Sequence, residues 1–440
     1  MKVLHLTMLD SDGAGRAAQR LHQGLNSLDN HSYTNLHSQM LVQVKSGDDQ
    51  ATVTTKNRFK IAANRLKLTE RIDQLLLKLY PHRMQTTFSP QWVPGQLWHD
   101  IQQCNPDIIN LHWIGHGFLP IEFLKKLNKP LVWTLHDMWA FTGGCHYSQT
   151  CDRYQAQCGK CPQLNSHSDW DLSRWVWQRK ARSWQDLNLT VVTPSVWLKR
   201  CAIASSLFKE IPVEVIPNGL DTVVYKPIER QIARSILNLP LDRHLILFGA
   251  GYASDPRKGF SYLEAALECL SSQQYSQPLE AVIFGGSAPE TSSSIGLKVH
   301  YLGKLRDDTT LALAYAAADV FVVPSLQDNL PNTVMEALAC GTPCVAFDIG
   351  GMPDMIEHQQ NGYLAQPYET DDLAQGIGWV LRDRERHHRL SQRARAKVEE
   401  AFTLQHQATQ YFLLYQSIID SALREKSQPQ TSLTLKQTQR

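Results

Sequence analysis

The sequence predicts an α/β protein of two doubly wound domains that face each other across a cleft. Three observations carry that expectation. At 440 residues, 42% of them hydrophobic, the chain is long enough to bury two cores rather than one. Its composition changes along its length, with ten of the eleven tryptophans at or before Trp197 and eleven of the seventeen histidines before residue 170. Short β-branched or apolar runs recur at intervals wide enough for a helix, the pattern of βαβ units in buried parallel sheets.

Those runs are Val3 to Leu6, Ile108 to Leu111, Leu131 to Leu135 and Val191 to Thr193, then Val213 to Ile216, Leu245 to Phe248, Ala281 to Phe284, Val320 to Val323 and Pro343 to Phe347. A turn-rich stretch, Ile216-Pro-Asn-Gly-Leu-Asp221, follows the change in composition and suits the entry to a second domain. The chain accordingly divides into a first domain at 1–200, a second at 201–400, a C-terminal helix at 401–425 able to pack back on the first domain, and a flexible tail at 426–440. In the tail, Gln, Ser, Thr and Pro leave little to bury.

Lys plus Arg number 44 against 42 Asp plus Glu, so no global charge draws the chain to nucleic acid. No run approaches the ~18 apolar residues of a membrane span, and the first twenty residues lack the pattern of an export signal. A cytoplasmic location is expected. Nine cysteines, an odd number in a long chain, fit a reduced compartment better than a disulfide framework.

Ligands of doubly wound sheets bind beyond the carboxyl ends of the strands. The segment Pro324 to Pro343 reads there as a polar loop and a short helix, with Asn329 expected as its N-cap, Pro331 in its first turn, and Gly341 and Pro343 as its stop. Unpaired N–H groups around Leu330 to Asn332 would attract an anion such as a diphosphate. Asp328 in the loop and Glu336 in the helix could hold sugar hydroxyls, although spacing alone fits two unrelated acids equally well.

Asp328-x7-Glu336, Gly341-Thr-Pro-Cys-Val345, Gly350-Gly351 and Asn361-Gly-Tyr363 follow in order. With Ile216-Pro-Asn-Gly-Leu-Asp221, Arg257-Lys-Gly259, Gly13-Ala-Gly-Arg16 and Thr134-Leu-His-Asp137, they resemble the retaining glycosyltransferases of family 4, the group 1 type. The resemblance covers most of residues 1 to 400. It implies the GT-B fold and transfer of a sugar, with retention, from a nucleoside diphosphate sugar donor to a hydroxyl of a glycan or lipid-linked acceptor. No cofactor would be required for catalysis, and cell-surface polysaccharide synthesis is the implied setting. Two departures stand out: Asp328 replaces the family's glutamate, and Ala253 occupies a position that is often arginine, leaving Arg257 beside Lys258 to supply the charge.

On this resemblance the second domain binds the donor. Arg257, Lys258 and the helix mouth with Asn329, Leu330 and Asn332 would neutralise the departing diphosphate. Glu336 would hold the ribose hydroxyls and Asp328 would face the sugar ring. His136 would approach the reacting centre, where an imidazole can donate or relay a proton. From the opposite wall Gly13 and Gly15 permit close backbone approach. Arg16, His112 and Trp113 are expected on the acceptor side, where aromatic faces stack on sugars, with partial burial in the core as the other reading of His112 and Trp113. The Gly-x-Gly lacks the third glycine of a dinucleotide site, which disfavours NAD. A sugar-nucleotide 2-epimerase and a non-catalytic sugar-nucleotide-binding protein are the rival functions.

Two further features stand apart. Cys145, Cys151, Cys158 and Cys161 lie in one loop, 145–161, and could close a structural zinc site with His146 as a spare ligand, remain free thiols, form a labile disulfide pair or, last in order, hold an iron–sulfur cluster. Between 56 and 83 eight Lys or Arg and only two acids interleave with apolar residues. That pattern suits a helix lying on anionic lipid at the inner face of the membrane, or a solvated helix packed on its own domain.

Overall fold

A computed structural model describes residues 1–28, 36–46, 49–54, 68–93, 97–249, 255–285, 296–305 and 307–427. Two parallel sheets organise the chain. The first comprises β1 (Lys2–Leu9), β2 (His37–Val44), β3 (Thr52–Thr54), β4 (Ile108–Leu111), β5 (Leu131–Thr134), β6 (Leu189–Thr193) and β7 (Val213–Val215), in the order β3-β2-β1-β4-β5-β6-β7. The second comprises β8 (His244–Gly249), β9 (Leu279–Phe284), β10 (Lys298–Gly303), β11 (Val320–Val323), β12 (Cys344–Phe347) and β13 (Gly362–Ala365), ordered β10-β9-β8-β11-β12-β13. Strand order reverses beside β1 in one sheet and beside β8 in the other. Those switch points are where an open parallel sheet leaves a crevice for a ligand.

Each apolar run in the sequence lies on one of these strands. β7 pairs with β6, Val191 opposite Val213, so the first domain extends to Val215 and past the boundary expected at 200. The physical reason is that Val213–Val215 completes the edge of the first sheet before the turn at Ile216 to Asp221 leaves it. The return passage lies against the same turn: Leu220 N donates to Phe402 O, and Leu404 N donates to Leu220 O.

Aromatic density explains the tryptophan imbalance. Trp133, Trp139, Trp184 and Phe208 pack together with ring centroids 5.1 to 6.3 Å apart, and Lys180 lies over the Trp139 ring at 3.6 Å. The C-terminal helix, Leu404–Ser427, packs on the helix Gly13–Asn26 of the first domain. Its Tyr415 hydroxyl accepts from Asn110 Nδ2 at 2.7 Å, and its Tyr411 hydroxyl meets Thr134 Oγ1 at 2.8 Å, all of them buried. Residues 428–440, which hold most of the expected tail, and 55–67, half of the basic stretch, lie outside the described residues.

Tyr415→Phe leaves the buried Asn110 amide without its acceptor and should cost about 1–3 kcal/mol. Thr134 keeps its bond to Asn110 Oδ1. Tyr411→Phe should therefore cost less, about 0.5–1.5 kcal/mol. Urea midpoints at unchanged slope would measure both.

Candidate active site

The loop after β11 carries a cluster of charged side chains at the domain boundary. Asp328 is buried, and its Oδ2 lies 2.6 Å from Lys258 Nζ, 3.3 Å from Arg257 Nη1 and 3.2 Å from Ser325 Oγ. Burial alone would raise this carboxyl, but Lys258, then Arg257, with the Ser325 hydroxyl, outweigh it and hold the group down at about 2. Arg257 also donates to Gln327 O at 2.9 Å and lies over the ring of Tyr147 at 4.4 Å. Tyr147 belongs to the Cys-rich loop, and Gln149 N of that loop donates to Gln327 Oε1 at 2.8 Å. The loop thus reaches across to the second domain.

Glycines let three turns close around residues 328–329. A Cβ on Gly350, at φ +56°, would sit 1.9 Å from Asp328 O, and one on Gly351 would sit 1.8 Å from Asn329 O. At Gly259, φ +70°, it would sit 1.8 Å from Pro324 O. No side chain fits such approaches, which accounts for the Lys-Gly and Gly-Gly pairs seen in the sequence.

The helix itself is Asn332–Ala339, and its N-cap position is Pro331, which makes no side-chain cap. The expectation that Asn329 caps it is corrected. Pro331, extended at φ −65° and ψ 121°, sets the helix entry. The Asn329 amide is occupied across the domain boundary instead. It accepts from Ser195 Oγ at 2.6 Å and donates to Leu135 O at 3.3 Å and His136 O at 3.2 Å. Asn332 donates to Gly13 O at 3.1 Å and accepts from Asn218 Nδ2 at 3.2 Å. Leu330 is buried in the second core.

Glu336 is buried at 2% exposure. Its Oε1 accepts from Arg20 Nη2 at 2.7 Å and its Oε2 from Tyr315 OH at 3.0 Å. Arg16, expected on the acceptor side, bonds Tyr225 OH at 3.1 Å and Asp308. Arg20 went unnoticed in the sequence, although it stands four residues after Arg16 and hence on the same helix face. Gly13 has open space where a Cβ would be. Gly15 does not: a Cβ there would sit 2.2 Å from Leu9 O. The Gly15 N–H is also taken by the Asp12 side chain at 2.6 Å. The close approach expected of both glycines therefore remains open at Gly13 only, and Gly15 serves the packing of strand end on helix start.

On the first-domain wall, His136 is half-buried just beyond β5. Its Nε2 lies 3.1 Å from His112 Nδ1, and His112 Nε2 lies 3.0 Å from His5 Nδ1. His112 is buried at 3% and cannot stack on a sugar, which corrects its placement on the acceptor side in favour of the core reading. Trp113 is half-buried and donates from Nε1 to Asp137 Oδ2 at 2.8 Å. Asp137 also takes His146 Nδ1 at 2.6 Å and Trp139 N at 2.8 Å, so this carboxylate fixes the turn that presents His136. His146, bonded as well to Ser89 Oγ at 2.9 Å, is committed to that anchor.

Cys145, Cys151, Cys158 and Cys161 line one small cavity with Phe88, Thr142 and Tyr154, all four unpaired. Burial pushes the Cys158 thiol up to about 12 and the Cys161 thiol up to about 11. Among the described residues no group of three His, Cys, Asp or Glu side chains is placed to hold a metal ion. Cys158 and Cys161 are also buried in the core of the loop.

Two parallel-sheet, Rossmann-like domains are the architecture of the GT-B glycosyltransferases. Residues 44–224 match the model described as Glycosyltransferase Family 4, and 243–383 the one described as Glycosyl transferases group 1. The chain belongs to this family of glycosyltransferases. It is 33% identical over 311 residues to the sulfoquinovosyl transferase SQD2 of Arabidopsis thaliana, a stretch covering 68% of this chain and 55% of that protein. To the N-acetyl-alpha-D-glucosaminyl L-malate synthase of Bacillus anthracis it is 31% identical over 122 residues, 28% of this chain and 31% of the other. Such matches span from about a third to about half of the length of these curated relatives. Sucrose-phosphate synthase from Thermosynechococcus elongatus shares the fold at a TM-score of 0.66 and 19% identity, covering 96% of this chain and 100% of that one. Anabaena HepE, solved in complex with UDP and glucose, does so at 0.60 and 20%, covering 95% and 100%.

Asp328 has its pKa lowered in the folded state, so it stabilises the fold above about pH 4 and loses that contribution as pH falls toward about 2. The amount is about 2 kcal/mol. Asp328→Asn should lower stability at pH 7, by leaving Lys258 and Arg257 facing a neutral amide, and should abolish this acid-dependent share. Urea unfolding of both proteins at pH 7, 4 and 2.5 tests it, and equal acid slopes would contradict it.

Proposed function

We propose that the protein is a retaining glycosyltransferase that moves a sugar from a nucleoside diphosphate donor to a hydroxyl of a glycan or lipid-linked acceptor. The observation that carries this reading is the pair Arg257 and Lys258, held on Asp328 beside the loop after β11. When the glycosidic bond to the diphosphate lengthens, negative charge grows on the leaving oxygens, and fixed cations there lower the barrier. In this protein the two basic side chains supply that charge, with the backbone N–H groups of Leu330 and Asn332 at the helix mouth.

Asp328 faces the sugar ring in this proposal, and Glu336 takes the ribose hydroxyls while sharing its oxygens with Arg20 and Tyr315. A carboxylate gripped by two cations is a poor nucleophile, which supports a same-face displacement guided by the leaving phosphate over a covalent sugar intermediate. His136 meets the donor sugar from the first domain. The UDP and glucose held by HepE support a nucleoside diphosphate sugar as the donor class.

The acceptor belongs to the first domain. Leu68, Leu75 and Leu79 are exposed there beside Arg71 and Lys78, which supports contact with an anionic lipid surface and a lipid-linked acceptor in polysaccharide assembly. Among the described residues no helix is long and apolar enough to cross a membrane.

A screen of UDP-, GDP- and ADP-sugars by thermal unfolding tests the donor site. One class should stabilise the protein by about 2.7 kcal/mol at a hundred times its Kd, and Lys258→Ala and Glu336→Ala should each weaken that response. No response to any nucleotide sugar, or an undiminished one in both variants, would overturn the proposal. Release of a free epimerised sugar without transfer would favour an epimerase instead.

A further inference from the structure

Three imidazoles run inward from the domain boundary in single file. The links are His136 Nε2 to His112 Nδ1 at 3.1 Å and His112 Nε2 to His5 Nδ1 at 3.0 Å, with ring centroids 5.4 and 5.2 Å apart. His5 and His112 are buried, and His136 is half-buried at the outer end. Burial disfavours the charged form of each ring, bringing His136 down to about 4 and holding His112 and His5 well below the ordinary imidazole value. All three are neutral near pH 7.

A neutral imidazole carries one N–H and one lone pair. A file of three can therefore be polarised in only two ways, with every ring donating toward the boundary or every ring donating inward. The inner end decides between them. His5 Nε2 is buried and has no partner, and a buried N–H left unpaired is rarer than an unpaired acceptor. His5 thus keeps its proton on Nδ1 and donates to His112, which donates from its own Nδ1 to His136 Nε2. His136 must then carry its proton on Nδ1. Among the described residues no hydrogen bond is made to that nitrogen, which leaves it for a ligand.

We propose that His5 and His112 are positioning residues that lock His136 as its Nδ1–H tautomer, so that the cleft is offered an N–H donor and not a ring lone pair. A donor suits an oxygen that is gaining negative charge, on the leaving phosphate or on the sugar. A lone pair would instead suit removal of a proton from a hydroxyl. Two other titratable groups face the file. The His22 ring stands edge-on to His5 at 6.0 Å and is itself tied to Asp49 at 3.1 Å and Ser38 at 2.7 Å. The Asp137 carboxylate is already taken by Trp113, His146 and the Trp139 N–H. The kinetic consequence of the lock rests on the glycosyltransferase reading, whereas the tautomer does not.

Long-range proton–nitrogen NMR of ¹⁵N-histidine-labelled protein reads the tautomer directly, with His136 assigned by its loss in His136→Gln. Expected is protonated Nδ1 and bare Nε2 in the wild type. His5→Phe removes the inner donor and should give a tautomer mixture at His136, with kcat down about tenfold and donor KM little changed. His5→Asn puts an amide N–H where Nδ1 was and should restore both. A wild-type His136 protonated on Nε2, or an unchanged tautomer in His5→Phe, overturns the proposal. If His5→Phe fails to fold, the wild-type spectrum decides alone. The expected tautomer in a protein that transfers no sugar leaves the relay standing and counts against the transferase reading.

Discussion

One buried carboxylate holding two cations organises the boundary between the domains. Asp328 fixes Lys258 and Arg257 at the end of β11, and it can do so because Gly259, Gly350 and Gly351 let three backbone turns approach to distances no Cβ would allow. Without a ligand, the carboxylate is the counter-charge of the site. A diphosphate would arrive as a second anion on the same two cations. The energetic balance is then an exchange of one set of charge-assisted bonds for another, with the burial of new charge compensated only where the geometry is kept.

The carboxylate deeper in the helix follows a different logic. Glu336 bridges the domains through Arg20, and Asn329 and Asn332 bridge them through the His136 carbonyl and the Gly13 carbonyl. Groups that the donor would contact therefore also hold the domains together. A nucleotide bound at Glu336 as proposed would alter the tie to the first helix and so couple binding to the relation of the two domains. Tyr315 supports the other carboxylate oxygen, Oε2, from the second domain alone.

Strands with uniform apolar runs, such as β4, β5 and β11, were legible because both faces are covered. By contrast, β2 (His-Ser-Gln-Met-Leu-Val-Gln-Val) carries polar residues on one face, and Thr52–Thr54 is too short to signal anything. Lys258, Asp328 and His136 could be found because a turn or a strand end sits in the sequence beside each. Cross-domain partners could not. Nothing near residue 20 reports Glu336, and nothing near residue 5 reports His136, since three-dimensional proximity over such separations leaves no local pattern. Asn329 misled for the opposite reason: its local pattern fits a cap, but an interdomain partner won its amide.

The departure from the family pattern at Ala253 falls on a residue outside those described, whereas the contacts of Arg257 are clear. A guanidinium one residue before Lys258 would be free to swing into solvent. Here it is constrained on several sides, by the Gln327 carbonyl, by Asp255 and Asp328, and by the face of Tyr147. The last of these comes from the first domain, on the loop that Cys158 and Cys161 pack into the core. Stacking on an aromatic face favours arginine over lysine, because the planar guanidinium keeps its in-plane donors free while the ring covers its face. The Cys-rich loop thus acts on the second domain as well as on its own, and the placement of the second cation depends on both.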